Sequence, residues 1–230
     1  MGAADWTVFT NSLDPAVLDR GATAGFTPPA GGGSYVYGFN SLQIVSGASA
    51  LFTNLVNFAP HINGCRLNGA LLRHTSGGTI GFSTFLIACA QGPDIADNAY
   101  LFGLSDSNPA KIILAKGAII TGVPEPADPK VMRVSDESVA IATWAHLRID
   151  IIRQPNDDVL LKMWKNDLTV NDVGVPVWEV IPGMADFIDD NLGIATGSAP
   201  FTSGRSGYGF AATDVTRRGA VDHVQLYRQL

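Results

Sequence analysis

The residues able to carry acid–base chemistry are few and scattered. The chain has three glutamates, Glu125, Glu137 and Glu179, each isolated. Hydrolysis of a glycosidic bond needs two carboxylates a few ångströms apart, one as acid and one as base or nucleophile. On a β-strand such a pair comes from alternating acidic positions, because residues i and i+2 share a face. No stretch reads that way: Asp150 has Arg148 two residues before it and Ile152 two after. Asp186, Asp189 and Asp190 cluster, but in a segment that reads as a loop or one helical turn. The four histidines, His61, His74, His146 and His223, show no metal-ligand spacing with each other or with the two cysteines, Cys65 and Cys89. There is no Gly-x-Ser-x-Gly elbow. The glycines at 31–33 are followed by neither a helix signal nor Lys-Ser/Thr, so they do not cradle phosphate. No catalytic residue is expected, and no cofactor.

Two binding chemistries are conceivable. Calcium would take Asp and Asn oxygens plus carbonyls, and the candidate runs are Asp186, Asp189, Asp190 and Asn191, or Asp94, Asp97 and Asn98. Neither matches a defined loop, and acidic residues are common at turns and caps in any case. Glycan binding needs exposed aromatic faces beside polar groups, for which Trp178, Tyr208, Trp6, Tyr35 and Tyr37 are available. Aromatics at alternating strand positions more often belong to a sandwich core, and Trp144 and Trp164 are expected there.

These residues must be positioned by β structure. Of 230 residues, 46% are apolar and 16% charged, which excludes disorder for most of the chain. Glycine (25) and proline (13) are scattered without a period, favouring turn-rich strands. Mean hydropathy is slightly high at +0.17, so partners are expected to cover some apolar surface. A net charge of −6 with 15 basic residues argues against nucleic acid. No run is long enough to span a membrane, and the first residues carry no export signal. The expected location is a cytoplasm, unless the chain leaves by lysis or within a larger assembly.

From Ser34 onward the pattern is short strands with turn signals every 8–12 residues, which predicts an antiparallel sandwich or barrel. Arg66–Arg73 and Ile80–Cys89 read as a hairpin around Ser76-Gly77-Gly78. A three-residue loop there places Cys65 opposite Cys89, and a two-residue loop does not. A bridge between them is expected only outside the cell. Tyr100–Leu104 and Lys111–Ala115 flank the Asp106–Pro109 turn. Trp144–Arg153 and Val159–Lys165 flank residues 154–158, with Leu147, Ile149 and Ile151 on the buried face and Arg148 and Asp150 on the other.

Residues 1–33 read as an arm preceding a domain at 34–230. Ser12–Arg20 could form one or two helical turns, and Thr27-Pro28-Pro29 and Gly31-Gly32-Gly33 follow. Fixing such a chain costs roughly 1–2 kcal/mol of backbone entropy per residue. Trp6, Val8, Phe9, Leu13, Val17, Leu18 and Phe26 are expected to offset that cost as contacts to a neighbouring subunit or, less favoured, to the chain's own sandwich.

The run Trp144-Ala145-His146-Leu147-Arg148-Ile149-Asp150-Ile151, followed by Val159–Trp164, Trp178–Ile181, Gly207–Phe210 and Val221–Tyr227, resembles the concanavalin A-like, laminin G-like jelly roll. The match covers about 40% of the chain and rests on packing motifs, so it implies fold and not activity. His223, inside the Asp222-His223-Val224 step, is then structural. The run Phe26–Leu42 resembles the start of uncharacterised tailed-bacteriophage virion structural proteins. Together these imply a non-catalytic virion component, a capsid decoration (cement) or tail accessory protein. It would adhere to major capsid or tail subunits and to copies of itself. The alternative is a lectin-like module for host-surface glycan, and a glycoside hydrolase or lyase comes third.

Overall fold

In the computed structural model the described residues are 6–11, 18–20, 42–45, 50–56, 63–73, 82–92, 98–105, 107–118, 130–166, 177–190, 198–212 and 218–228. For the strands before residue 57, and for a few later strand positions, the backbone alone is described. Fifteen strands run through these residues. They are β1 Trp6–Asn11, β2 Leu18–Arg20, β3 Leu42–Val45, β4 Ala50–Val56, β5 Gly64–Arg73, β6 Phe82–Ala90, β7 Asn98–Ser105 and β8 Ala110–Ala118. The remainder are β9 Lys130–Val139, β10 Trp144–Arg153, β11 Val159–Asn166, β12 Glu179–Val180, β13 Phe187–Asp189, β14 Arg205–Ala212 and β15 Arg218–Arg228.

They form two antiparallel sheets packed as a sandwich. The first has the order β1-β4-β14-β6-β7-β8-β9, and the second β12-β11-β10-β5-β15-β3-β2, with β13 also on β11. The core between them takes one alternating set from each strand: Leu86 and Ala88, Tyr100, Phe102 and Leu104, and Ile112 and Leu114 from the first sheet. The second sheet supplies Leu67 and Leu71, Leu147, Ile149 and Ile151, and Val159, Leu161 and Met163. Leu147, Ile149 and Ile151 have no exposed surface, as their spacing predicts.

The two sheets differ on their outer faces. Phe85, Ile87, Leu101, Ile113 and Ala115 alternate with the core residues of the first sheet, so they point away from the interlayer, yet they are buried in a second apolar cluster. Over β6–β8 that sheet is apolar on both faces. The second sheet alternates apolar-in with polar-out.

Several expectations are corrected. Arg66–Arg73 and Ile80–Cys89 are not a hairpin: β5 lies between β10 and β15 in the second sheet, and β6 between β14 and β7 in the first. β5 and β6 belong to different layers, and the apolar set of each faces the other sheet. Cys65 and Cys89 are therefore inter-sheet neighbours. Both are free and buried, and they share Ser206, whose Oγ lies 3.5 Å from Cys65 Sγ and accepts the Cys89 amide at 3.4 Å. Burial, reinforced by the adjacent Cys65, raises the Cys89 thiol well above its ordinary pKa, which leaves it protonated and unreactive.

The expected helical turn at 183–191 is a turn followed by β13, because Leu160 pairs with Ile188 and Val159 with Asp189. Leu18–Arg20 is a strand and not part of a helix. Within the expected arm, Trp6–Asn11 pairs with β4 and Leu18–Arg20 with β3, so these two pieces are edge strands of the chain's own sheets. The side chains of Trp6, Val8, Phe9 and Leu18 lie outside the described ones, as do residues Leu13, Val17 and Phe26 altogether. The expected strand at 34–39 also lies outside the described residues.

One polar cluster crosses the core. Lys116 stands on the inward face of β8, two residues past Leu114, where the alternation calls for an apolar side chain. Its ammonium reaches Asp189 Oδ2 of β13 at 2.6 Å and the carbonyls of Ser198 and Ala199 at 2.8 Å each. Tyr100, opposite it on β7, donates its hydroxyl to the same Asp189 oxygen at 2.5 Å and accepts the Phe201 amide at 3.0 Å. The Phe201 ring centroid is 4.6 Å from the ammonium. The side chains of Lys116 and Asp189 are 1% and 0% exposed. Burial lowers the Lys116 pKa, only partly offset by the Asp189 hydrogen bond; burial and then the Asp189 charge raise the Tyr100 phenol.

Removing one partner of such a pair strands the other charge in the core. Lys116→Met and Asp189→Asn are each expected to cost about 3–5 kcal/mol in urea unfolding. The double variant Lys116→Met/Asp189→Leu is expected to cost clearly less than the sum.

Candidate functional site

The outer face of the second sheet is where aromatic and polar side chains meet in the open. Strand register sets them in rows. Val180 of β12 pairs with Trp164 of β11, Trp164 with Arg148 of β10, Arg148 with Asn68 of β5, and Asn68 with Gln225 of β15. Two residues along, Lys162, Asp150, Arg66 and Tyr227 form the next row. Because directly paired residues point to the same side, the rows lie on one surface. Four strand spacings make it roughly 19 Å across.

Asp150 is the pivot of this face. Arg66 donates from Nε to Oδ1 at 2.9 Å and from Nη2 to Oδ2 at 3.0 Å. Arg148 donates from Nε to Oδ1 at 2.8 Å and from Nη2 to Oδ2 at 2.5 Å. Both guanidinium groups are thus clamped in fork geometry on one carboxylate. Burial alone would raise the Asp150 pKa, but the hydrogen bonds from Arg148 and Arg66 outweigh it and hold the carboxyl below its ordinary value. The Asp150 side chain is 7% exposed and that of Arg66 45%.

Arg148 is also wedged between aromatics, its guanidinium carbon 5.4 Å from the Trp164 ring and 5.9 Å from that of Trp178. Such stacking holds a cation flat while leaving one edge free. Tyr227, half exposed, donates its hydroxyl to Gln225 Oε1 at 3.0 Å, and Asn68 Nδ2 donates to the same oxygen at 3.5 Å. Lys162 pairs with Asp186 at 3.1 Å. A smaller cleft of 160 Å³ opens beyond the end of these rows, among Glu137, Val139, Trp144, His146, Lys165 and Asn166. Its Glu137 and Lys165 bind each other at 2.8 Å.

Among the residues singled out from sequence, Trp178 lies on this face. Trp164, expected in the core, lies there too: its neighbours Met163 and Lys165 take the other side of β11. Trp144 packs on Leu72, outward from the main core, while Tyr208 packs against the core. Tyr35 and Tyr37 lie outside the described residues. The calcium candidates Asp186 and Asp189 are each taken by a lysine ammonium, and no group of metal-ligating side chains assembles among the described residues. Asp94, Asp97 and Asn191 lie outside the described residues. His146 is buried, and His61 and His74 are not described. Sequence reasoning missed the clamp. Its signal was Arg148-x-Asp150 on one polar strand face, with Arg66 outward on a second strand.

The same arrangement of sheets occurs in known structures. The exoplasmic/lumenal domain of VIP36 in its Ca2+/Man3GlcNAc-bound form aligns with a TM-score of 0.53 at 8% identity, covering 100% of this chain and 86% of that one. The fold is a concanavalin A-like jelly roll. The Ca2+/Man2-bound form of VIP36 aligns at 0.50 with 10% identity, covering 100% and 84%. The PL-14 alginate lyase from Aplysia kurodai aligns at 0.50 with 9% identity, covering 83% and 84%. At these identities the likeness speaks for fold alone. No family model matches the chain, and no curated protein matches it in sequence.

The clamp predicts an acid limit. The folded Asp150 pKa is depressed, so its contribution to stability is complete above the unfolded value of 3.8. It is lost as the pH falls from there through the lower folded value. In Asp150→Asn this part of the acid loss is expected to vanish, leaving a flatter stability profile below pH ~4 by circular dichroism.

Proposed function

We propose that this chain is a lectin-like carbohydrate-binding module acting through the outer face of its second sheet. The observation that carries the reading is the set of aromatic side chains, the partly buried Trp164 and Trp178 and the half-exposed Tyr227, standing beside clamped arginine forks on the outer sheet face. Sugar rings offer apolar C–H patches that stack on indole or phenol faces, and hydroxyls that need fixed polar partners. Both are present within one stretch the size of a short oligosaccharide. The jelly roll supports the reading as a scaffold, since the VIP36 structures that share it hold mannose glycans. These neighbours favour the glycan alternative over adhesion between virion subunits.

The module is non-catalytic in this reading. Five described carboxylates are committed to cations: Asp150 to two arginines, Glu137 to Lys165, Asp157 to Arg153, Asp186 to Lys162 and Asp189 to Lys116. None stands opposite a second carboxylate as acid and base must.

The test is a glycan array followed by calorimetry on the best ligand. Trp178→Ala is expected to weaken binding about tenfold, the equivalent of ~1.4 kcal/mol for one lost stacking surface. Thermal stability should be nearly unchanged, because β12 is a two-residue edge strand. Prolonged incubation should release no new reducing ends and no unsaturated sugar. Equal binding by Trp178→Ala, or turnover, would overturn the reading.

A further inference from the structure

The donors on this face point to one kind of sugar. Each arginine spends Nε and Nη2 on Asp150, which leaves each Nη1 without a partner among the described residues. A guanidinium is always charged and presents its donors in a rigid plane. Two such groups, both oriented by a shared carboxylate and one of them, Arg148, also by the rings of Trp164 and Trp178, form a prearranged double donor. Fixing them costs no further side-chain entropy when a ligand arrives.

The charge of the face agrees. Among the described side chains of the two rows and their ion-pair partners, Arg66, Arg148 and Lys162 carry three positive charges against two negative ones on Asp150 and Asp186. The whole chain carries −6. A neutral sugar needs hydrogen-bond donors and acceptors in equal measure. Here the exposed acceptors are largely consumed internally: both Asp150 oxygens by the arginines, and Gln225 Oε1 by Tyr227 and Asn68, while the unpaired Asn68 Oδ1 is buried away from a ligand. What remains facing outward is rich in donors and poor in acceptors. That is the complement of an anion.

We infer that the glycan recognised on this face is acidic, a chain of carboxylated sugars whose planar carboxylate receives the outward Nη1 donors of Arg66 and Arg148. The sugar ring next to it stacks on Trp178. The inference rests on the glycan-binding reading above and names the ligand class of that same face. A carboxylate fits better than a neutral hydroxyl because only the ionised group makes charge-assisted bonds, about twice as strong as neutral ones.

The test uses the full chain and four probes: oligogalacturonate, its fully methyl-esterified form, an oligoguluronate and a neutral mannan oligosaccharide. Esterification removes the charge and keeps the ring. The expected result is binding of at least one uronate oligomer, with tenfold or greater loss on esterification and a comparable loss in Arg66→Gln. Arg66 is close to half exposed and Arg148 alone still satisfies Asp150, so this variant should fold. Arg66→Lys, which keeps the charge but loses the fork, should recover only part of the affinity. Equal binding of the esterified oligomer or of the mannan would overturn the acidic ligand while leaving a glycan-binding module in place. Uronate binding that Arg66→Gln leaves unchanged would place the site elsewhere and overturn the inference. If none of the probes binds and a wider array is also blank, the glycan reading fails as well.

Discussion

An ammonium group shut away from water imposes conditions on everything around it. Lys116 is held by one carboxylate, two backbone carbonyls and an aromatic ring, and those partners come from three separate places: β13, residues 198–199 and Phe201. Isolated in a core, the charge would remove a large share of the stability of an ordinary domain. All of the partners must therefore be in place whenever the chain is folded. The requirement ties the first sheet, which carries Lys116, to the second, which carries Asp189 through β11. It also explains why 187–189 is a strand. Extended backbone pairing Val159 with Asp189 turns that carboxylate inward. A buried pair of this kind is weak evidence of net stability. It is stronger evidence of specificity, because no shifted register of β8 or β13 would satisfy both charges.

That constraint reaches the candidate site through β11. With β13 fixed on its outer end, the parity of β11 is fixed, and Lys162 and Trp164 must face outward while Leu161 and Met163 face the core. The neighbouring strand β10 then has no freedom either: Arg148 and Asp150 share the outward face with Trp164. Asp150 works on that face as Asp189 does inside, as the anion that arranges cations. The difference is solvent. Inside, the cation is consumed wholly by its partners. Outside, two guanidinium groups compete for one carboxylate and each keeps a donor in reserve. Among its described side chains the first sheet offers nothing comparable on β6–β8, where the outer cluster of Phe85, Ile87, Leu101 and Ile113 is apolar and closed.

How much of this was legible follows from the range of each signal. Strand alternation is local, so Leu147, Ile149 and Ile151 could be placed in the core and Arg148 and Asp150 outside it from spacing alone. The hairpins joining β7 to β8 and β10 to β11 were also legible, because a turn signal sits between two matched runs. The β5–β6 pair failed for the same reason: Ser76-Gly77-Gly78 looks like a hairpin turn, but strand partnership is decided by non-local pairing, and β5 finds β10 and β15 instead. Trp164 was misplaced because an aromatic at a packing motif carries no mark of which side it faces. The Arg66–Asp150 half of the clamp joins residues 84 apart in sequence, and the Lys116–Asp189 pair joins residues 73 apart. No spacing rule reaches that far.

The state of Asp150 separates a binder from an acid–base catalyst. A carboxyl that is to donate a proton at neutral pH must have its pKa raised, which takes burial without a cation, or a second carboxylate nearby. Asp150 has the burial, which pushes in that direction, but two arginines reverse it. The group is held ionised to lower pH than an ordinary aspartate, and each of its oxygens already accepts two hydrogen bonds. It can neither give nor take a proton in a reaction cycle. What it can do is hold two donor arrays rigid at no cost in ligand-induced ordering. In the proposed reading, such preorganised donors serve a site that recognises charge and releases its ligand unchanged. The surrounding charge would then add a filter: the field of a chain at −6 repels anionic polymers in general, and only a ligand able to seat its carboxylates on the paired arginines would recover the loss.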